Sequence, residues 1–297
     1  MMNKLLAHFF RLMLLAGLAL FVSFPAIADT LQKLRGGEPL VIGWVDNNLP
    51  FSASASSEAE PFGFTVDLCK LIAARLAERI GIEEVKVAYQ QVTFETRFSA
   101  LDNNEIDLEC ASTTVTRARM EKYQFTPAYY VAGVRLLVQR GQGIQSLDDL
   151  AGKTVAVVPS TTGETLTRQH NELASLRLDI RSYDTPDLAA EAVMKGEAMA
   201  FPFDDILLYA MISNIPGGYD ALDVAGRFMS IEPYGLMMRG SDEAFQKLVS
   251  SVLAEVLASR DAGQVFERWF DNDELRAPMN RLTKEAFSNP SREPAFP

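Results

Sequence analysis

Tyr129-Tyr130-Val131-Ala132-Gly133-Val134-Arg135-Leu136-Leu137-Val138 is a run of aromatic, β-branched and aliphatic residues broken by Gly133 and Arg135. A run this rich in β-formers reads as extended chain. It sits between two separate series of alternating strand and helix signals. Upstream, Leu40 to Val45 reads as a buried strand and Val66 to Arg79 as a helix with apolar residues at helical spacing. Val85 to Tyr89, Glu95 to Leu101 and Ile106 to Cys110 continue the alternation as strand, helix and strand. Downstream, Thr154 to Val158, Ile180 to Tyr183 and Ala198 to Phe203 read as strands. Gly163 to Leu173 and Asp187 to Lys195 read as the helices between them. Two βαβ series on either side of one extended run predict two α/β lobes, each a mainly parallel sheet with flanking helices. The run itself is the crossing between them, and Ile231-Glu232-Pro233-Tyr234-Gly235-Leu236-Met237-Met238 is a second crossing back. The expected boundaries are 29–130 plus 234–297 for lobe 1 and 131–233 for lobe 2, with hinges near 129–134 and 231–235. A periodic helix from Asp242 to Ala258 and another from Gly263 to Phe270 follow, and the stretch from Asp271 onward, rich in Pro and Asn, is expected to lie over the surface.

Residues 1–28 have the order of a secretory signal: Lys4 and Arg11, an apolar run from Leu12 to Val22, and the small-x-small site Ala26-Ile27-Ala28. The apolar run falls short of the ~20 residues that span a bilayer. A retained membrane anchor is the competing reading. Cleavage after Ala28 would take the net charge from −11 to −13, because Lys4 and Arg11 leave and no acid does. Such an acidic chain lacks the basic footprint that nucleic acid requires. The exported part keeps two cysteines, Cys69 and Cys110. An oxidising compartment favours a disulfide between them over two buried thiols. In a bacterium that compartment is the periplasm.

Open α/β sheets bind ligands beyond the carboxyl ends of their strands. After the strand ending at Cys110 come Ala111-Ser112-Thr113-Thr114, with Arg119 five residues beyond Thr114. Hydroxyls and a guanidinium fork there can grip a carboxylate; a helix cap beside a solvated Arg fits the same residues. In the second series, Pro159-Ser160-Thr161-Thr162-Gly163-Glu164 opens a helix, which suits an anion and equally suits plain capping by Thr161 or Thr162. Asp204, closing Phe201-Pro202-Phe203, is a partner for an ammonium group or an N-cap for the following helix. Carboxylate receptors in both lobes together with an ammonium receptor describe an α-amino acid.

These segments resemble the periplasmic amino-acid-binding proteins of polar amino-acid ABC importers, solute-binding protein family 3, and within them the glutamate/aspartate branch. The resemblance is carried by Leu49-Pro50-Phe51-Ser52, Asp107-Leu108-Glu109-Cys110-Ala111-Ser112-Thr113-Thr114, Arg135-Leu136-Leu137, Ser160-Thr161-Thr162, Phe203-Asp204-Asp205 and Tyr234-Gly235, in that order over almost the whole exported chain. It implies a two-lobed periplasmic-binding-protein clamp of type II. It also implies an α-carboxylate held by Arg119 with Thr114, Thr161 and more weakly Thr162, and an α-ammonium held by Ser112 and Asp204. Arg97 would face the ligand side chain; a surface helix position is its alternative. The branch also places an Arg in the first-strand loop and a His in the second lobe, where this chain has Val45 and Thr185. The one exported histidine, His170, falls on a predicted helix. Trp44, Phe51 and Phe94 are further candidates for the pocket wall.

The implied partners are an amino acid and an inner-membrane ABC permease with its ATPase subunit, for a monomer with no stable membrane anchor and no nucleic acid. No cofactor or metal is expected. A dehydratase-like enzyme acting on amino or keto acids is one alternative, on a chain with no phosphate loop, no nucleophile elbow and no His pair at metal-ligand spacing. A ligand-binding module for a separate sensor is the other.

Overall fold

The computed structural model describes residues 29–290 except Ser57 and Glu274. The signal sequence and the Ala28 cleavage site lie outside the described residues. Two five-stranded sheets and a two-stranded ribbon make the framework. The first sheet contains β1 (Leu40–Val45), β2 (Val87–Val92), β3 (Leu108–Glu109), β4 (Tyr123–Phe125) and β12 (Met237–Arg239), in the order β2-β1-β3-β12-β4. The second contains β6 (Val134–Gln139), β7 (Thr154–Val157), β8 (Asp179–Ser182), β9 (Ala200–Asp204) and β10 (Leu222–Ala225), in the order β10-β6-β9-β7-β8. In each sheet four strands run one way and one runs against them. The reversed strands are β12 and β6, the two that enter a sheet directly after a crossing. The remaining pairings are parallel, β1 with β2 and β3, β7 with β8 and β9.

The crossing is the ribbon of β5 (Tyr130–Ala132) and β11 (Glu232–Tyr234), paired antiparallel with Val131 opposite Pro233. Gly133 separates β5 from β6, and a side chain there would collide with Phe228 and the Ser230 carbonyl. Beneath the ribbon lies an aromatic cluster. Phe51 meets Phe64, Tyr130, Tyr234 and Phe270 edge-on, with ring centroids 5.2 Å apart for both tyrosines. Phe51 is thus part of the core. Edge-to-face geometry suits the ring quadrupole and adds to the area each ring buries.

Helix α1 (Thr30–Arg35) fixes the start of the described chain. Asp242 accepts from the Thr30 backbone and hydroxyl, and Arg239 reaches Thr30, the Ile106 carbonyl and Asp107. Helix α2 (Phe64–Ile80) buries the face its apolar spacing predicts and stops at Gly81, in the left-handed conformation that glycine adopts at low cost. Its Cys69 is disulfide-bonded to Cys110 at the end of β3. The stretch from Asp271, expected to lie over the surface, carries a helix in its described part, a feature outside the expectation from sequence. Helix α11 (Arg281–Ser288) runs through it, with Thr283 and Phe287 buried. Thr283 Oγ1 accepts from the Val131 amide and Asn280 Nδ2 donates to the Val131 carbonyl, so this helix seals the free edge of β5.

Candidate ligand-binding site

The carboxyl ends of β3 and of β7 and β9 face each other across the gap between the sheets. From the first side come Arg97, opening α3 (Arg97–Asp102), the turn Ser112 to Thr114, and Arg119 on α4 (Arg117–Met120). From the other come Ser160 and Thr161, at the start of α5 (Thr162–Ala174), and Asp204 at the end of β9. Both guanidinium groups end on one carbonyl: Arg119 Nη2 donates to Ser160 O at 3.0 Å and Arg97 Nη2 donates to the same oxygen at 3.3 Å. Arg119 Nη1 also donates to the Thr114 carbonyl at 2.8 Å. Ser160 holds φ +63, a conformation uncommon for a residue with a side chain, and its amide donates to Glu164.

The alternative readings of these residues divide. Arg97 is only 2% exposed, which removes the surface-helix reading. Its guanidinium lies 5.1 Å from the Phe94 ring centroid and 5.0 Å from that of Phe98, and its Nε and Nη1 are buried without a hydrogen-bond partner. Thr161 does cap α5: its hydroxyl accepts from the Glu164 amide while donating to the Val158 carbonyl. Thr162 is the first residue of the helix beside it. Asp204 occupies the N-cap position of α7 (Asp205–Asn214) yet makes no side-chain capping bond, and its Oδ1 is buried without a partner. Ser112 donates to Asn48 Oδ1 at 3.0 Å, which leaves its oxygen lone pairs free to accept. Gly163 lets the start of α5 press on β9, since any side chain there would strike the Pro202 carbonyl.

Three buried acids surround the two arginines. Burial pushes the Glu109 carboxyl up, opposed by Arg97 and by the hydrogen bond from Thr113 at 2.8 Å. Burial and then the neighbouring Glu232 push Asp204 well above the carboxylate range, with Arg119 pulling the other way. Burial lowers Arg97, and burial with the like charge of Arg97 brings Arg119 down to about 10. Ser160, Glu109 and Glu232 escape a reading of the sequence. A backbone carbonyl has no residue-type signature, and an acid inside a strand gives no sign that it will be buried.

Val45 and Thr185 take structural places. Val45 is buried opposite Val92, and Thr185 caps α6 (Pro186–Met194) by accepting from Leu188. His170 pairs with Asp148 on the outer surface of the second lobe. Trp44 is buried in β1, and Phe94 stands edge-on to Phe203 across the gap at 5.7 Å. A cavity of about 310 Å³ opens beside Phe203, with Asn47, Asn48 and Leu49 on one wall and Asp187 and Leu207 on the other. Among the described residues there is no group of three His, Cys, Asp or Glu able to hold a metal ion, and no helix is long and apolar enough to cross a membrane.

Two α/β lobes joined by a two-stranded ribbon, with charged groups of both signs buried between them, define a two-lobed binding protein of the periplasmic type. Residues 40–272 match the model of the bacterial extracellular solute-binding proteins, family 3, and the chain belongs to that family. The L-glutamate/L-aspartate-binding protein of Pseudomonas aeruginosa is 30% identical over 287 residues, covering 93% of this chain and 95% of that protein. The glutamate/aspartate import solute-binding protein of Escherichia coli is 30% identical over 271 residues, 88% of this chain and 89% of its own. Among solved structures, a mutant of ArgBP from T. maritima superposes with a TM-score of 0.71 at 25% identity, covering 82% of this chain and 99% of that one.

Proposed function

We propose that this protein is the periplasmic receptor of an ABC importer, closing its two lobes on an L-α-amino acid with a polar side chain, glutamate or aspartate first. The observation that carries this reading is the meeting of Arg97 and Arg119 on Ser160, beside buried polar atoms of Arg97 and Asp204 that have no partner. Buried polar groups are ordinarily satisfied, and unpaired ones mark a place built for something else. In this reading Arg119, Thr114 and Thr161, with Thr162 at the edge, take the α-carboxylate. Ser112 and Asp204 take the ammonium, and Arg97 takes the side chain.

The distal end carries one cation. With Val45 and Thr185 engaged in packing and capping, Arg97 alone of these three positions offers a charge to a side-chain carboxylate, and Phe94 and Phe98 form its apolar surround. The lobes are assigned to 29–130 with 234–297 and to 131–233, moving about the ribbon of β5 and β11. The chain is exported with cleavage after Ala28, acts as a free monomer without membrane anchor or nucleic acid, and performs no catalysis. Its partners are the amino acid and an inner-membrane permease with its ATPase. The relatives named for glutamate and aspartate support that role over an enzyme.

A melting screen of the mature protein against the common L-amino acids tests the reading. Ligand at ~1,000 times its dissociation constant should add about 4 kcal/mol of stability. A screen in which no amino acid shifts the transition contradicts it.

A further inference from the structure

Glu232 has no role in the site described so far, yet it is 2% exposed and its Oε2 is buried without a hydrogen-bond partner. The strand registers place it. Asp204 lies opposite Val134 in the second sheet, and Glu232 lies opposite Ala132 in the ribbon. Gly133 is the single residue between those two positions. Asp204 and Glu232 therefore pair with the two residues on either side of Gly133, whose amide donates to Asp205 Oδ1 and whose carbonyl accepts from the Asp205 amide. A side chain at Gly133 would hit Phe228 and the Ser230 carbonyl.

The groups facing this pair come from every side. Asp204 is faced by Glu232 and Tyr234 of β11, by Asp205 of α7, by Arg119 of α4 and by Arg97 of α3. Glu232 accepts from the Ser230 hydroxyl through Oε1 and lies in the field of Arg119 and Tyr234. Arg119 already spends hydrogen bonds on two carbonyls. Burial first, and then the charge of Glu232, favours a proton on Asp204 despite the neighbouring arginines, until a ligand's ammonium arrives.

We propose that Glu232 is a positioning residue that makes Asp204 a proton-exchanging ammonium receptor. In the free protein Asp204 carries a proton, and a ligand's primary ammonium displaces that proton to solvent. The ammonium keeps its three protons, donating to Ser112 and to the newly ionised Asp204, and one proton leaves per ligand bound. This rests on the amino-acid reading above and adds a proton to its binding equilibrium.

Calorimetric titration of the mature protein in two buffers of different ionisation enthalpy, at one pH near neutral, counts that proton. L-glutamate, L-glutamine and L-arginine serve as probes. The wild type should release close to one proton per ligand, and its affinity should fall by up to about tenfold per pH unit on acidification. Glu232→Gln should still bind but release far less, with a flatter pH profile. Asp204→Asn should bind more weakly and release none, and it decides the matter if melting shows that Glu232→Gln does not fold. Binding heat that is the same in both buffers, or equal release by wild type and Glu232→Gln, overturns the proposal and leaves the amino-acid reading standing. No heat from any probe overturns the amino-acid reading itself.

Discussion

At the scale of single residues, Arg119 and Arg97 differ in what they can do. Arg119 bridges the two lobes through backbone carbonyls of Thr114 and Ser160, where the part of an amino acid common to all of them would lie. Arg119→Ala should weaken every amino acid the protein accepts by roughly 2–5 kcal/mol, tens- to thousands-fold in affinity, without loss of the fold. Arg97 keeps two donor atoms unpaired within the aromatic surround of Phe94 and Phe98. Specificity is a difference of affinities, so Arg97→Ala should move preference from acidic side chains toward their amides. Titration of both variants against acidic, amide and apolar amino acids separates them, and an equal loss across that set for Arg97→Ala would contradict its role. Six candidate binding residues are nameable from the sequence because hydroxyls, an acid and Arg119 follow strand ends, and the family resemblance adds Arg97. Ser160 is not, since its contribution is a carbonyl aimed by an unusual φ. Nor is Glu232, whose burial depends on pairing with Ala132 a hundred residues away in the chain.

At the scale of elements, the legible parts are those whose apolar spacing matches one face of a helix or a buried strand. α2 and α9 (Glu243–Leu257) both lie within a few residues of their expected ends. β3 is shorter than its sequence suggests, two residues, with Cys110 beyond it tied to α2. α11 is hidden in the sequence because eight residues with Leu282 and Phe287 as their only large apolar side chains carry little periodic signal. Its place is set by hydrogen bonds to Val131, a tertiary interaction. The Cys69–Cys110 bridge joins α2 to the strand that leads into the candidate site, over a separation of 41 residues. Closing a loop of that length stabilises by roughly 4 kcal/mol in the chain-entropy model. A Cys69→Ser, Cys110→Ser pair should therefore unfold at lower urea, with a steeper slope as the unfolded chain expands. An unchanged midpoint would show that the bridge does not restrain the unfolded chain.

At the scale of the whole molecule, the two sheets share one plan. Each has four co-directional strands and one reversed strand delivered by the ribbon, and among the described residues the ribbon that joins them is two strands wide. In the proposed clamp the lobes would part about this joint. Among the interactions that opening would break are those of Arg97 and Arg119 with Ser160 and the edge-on contact of Phe94 with Phe203. A ligand that bridges the same groups shifts such a clamp toward closure by its differential affinity for the closed state. The proposed clamp reads both the α-carboxylate and the α-ammonium of an amino acid in one site. Its most direct test is calorimetric titration of the mature protein with L-glutamate, with glutarate, which lacks the ammonium, and with γ-aminobutyrate, which lacks the α-carboxylate. The predicted result is saturable binding of glutamate and a loss of at least roughly a hundredfold for each analogue. Glutarate or γ-aminobutyrate binding as tightly as glutamate would contradict the account.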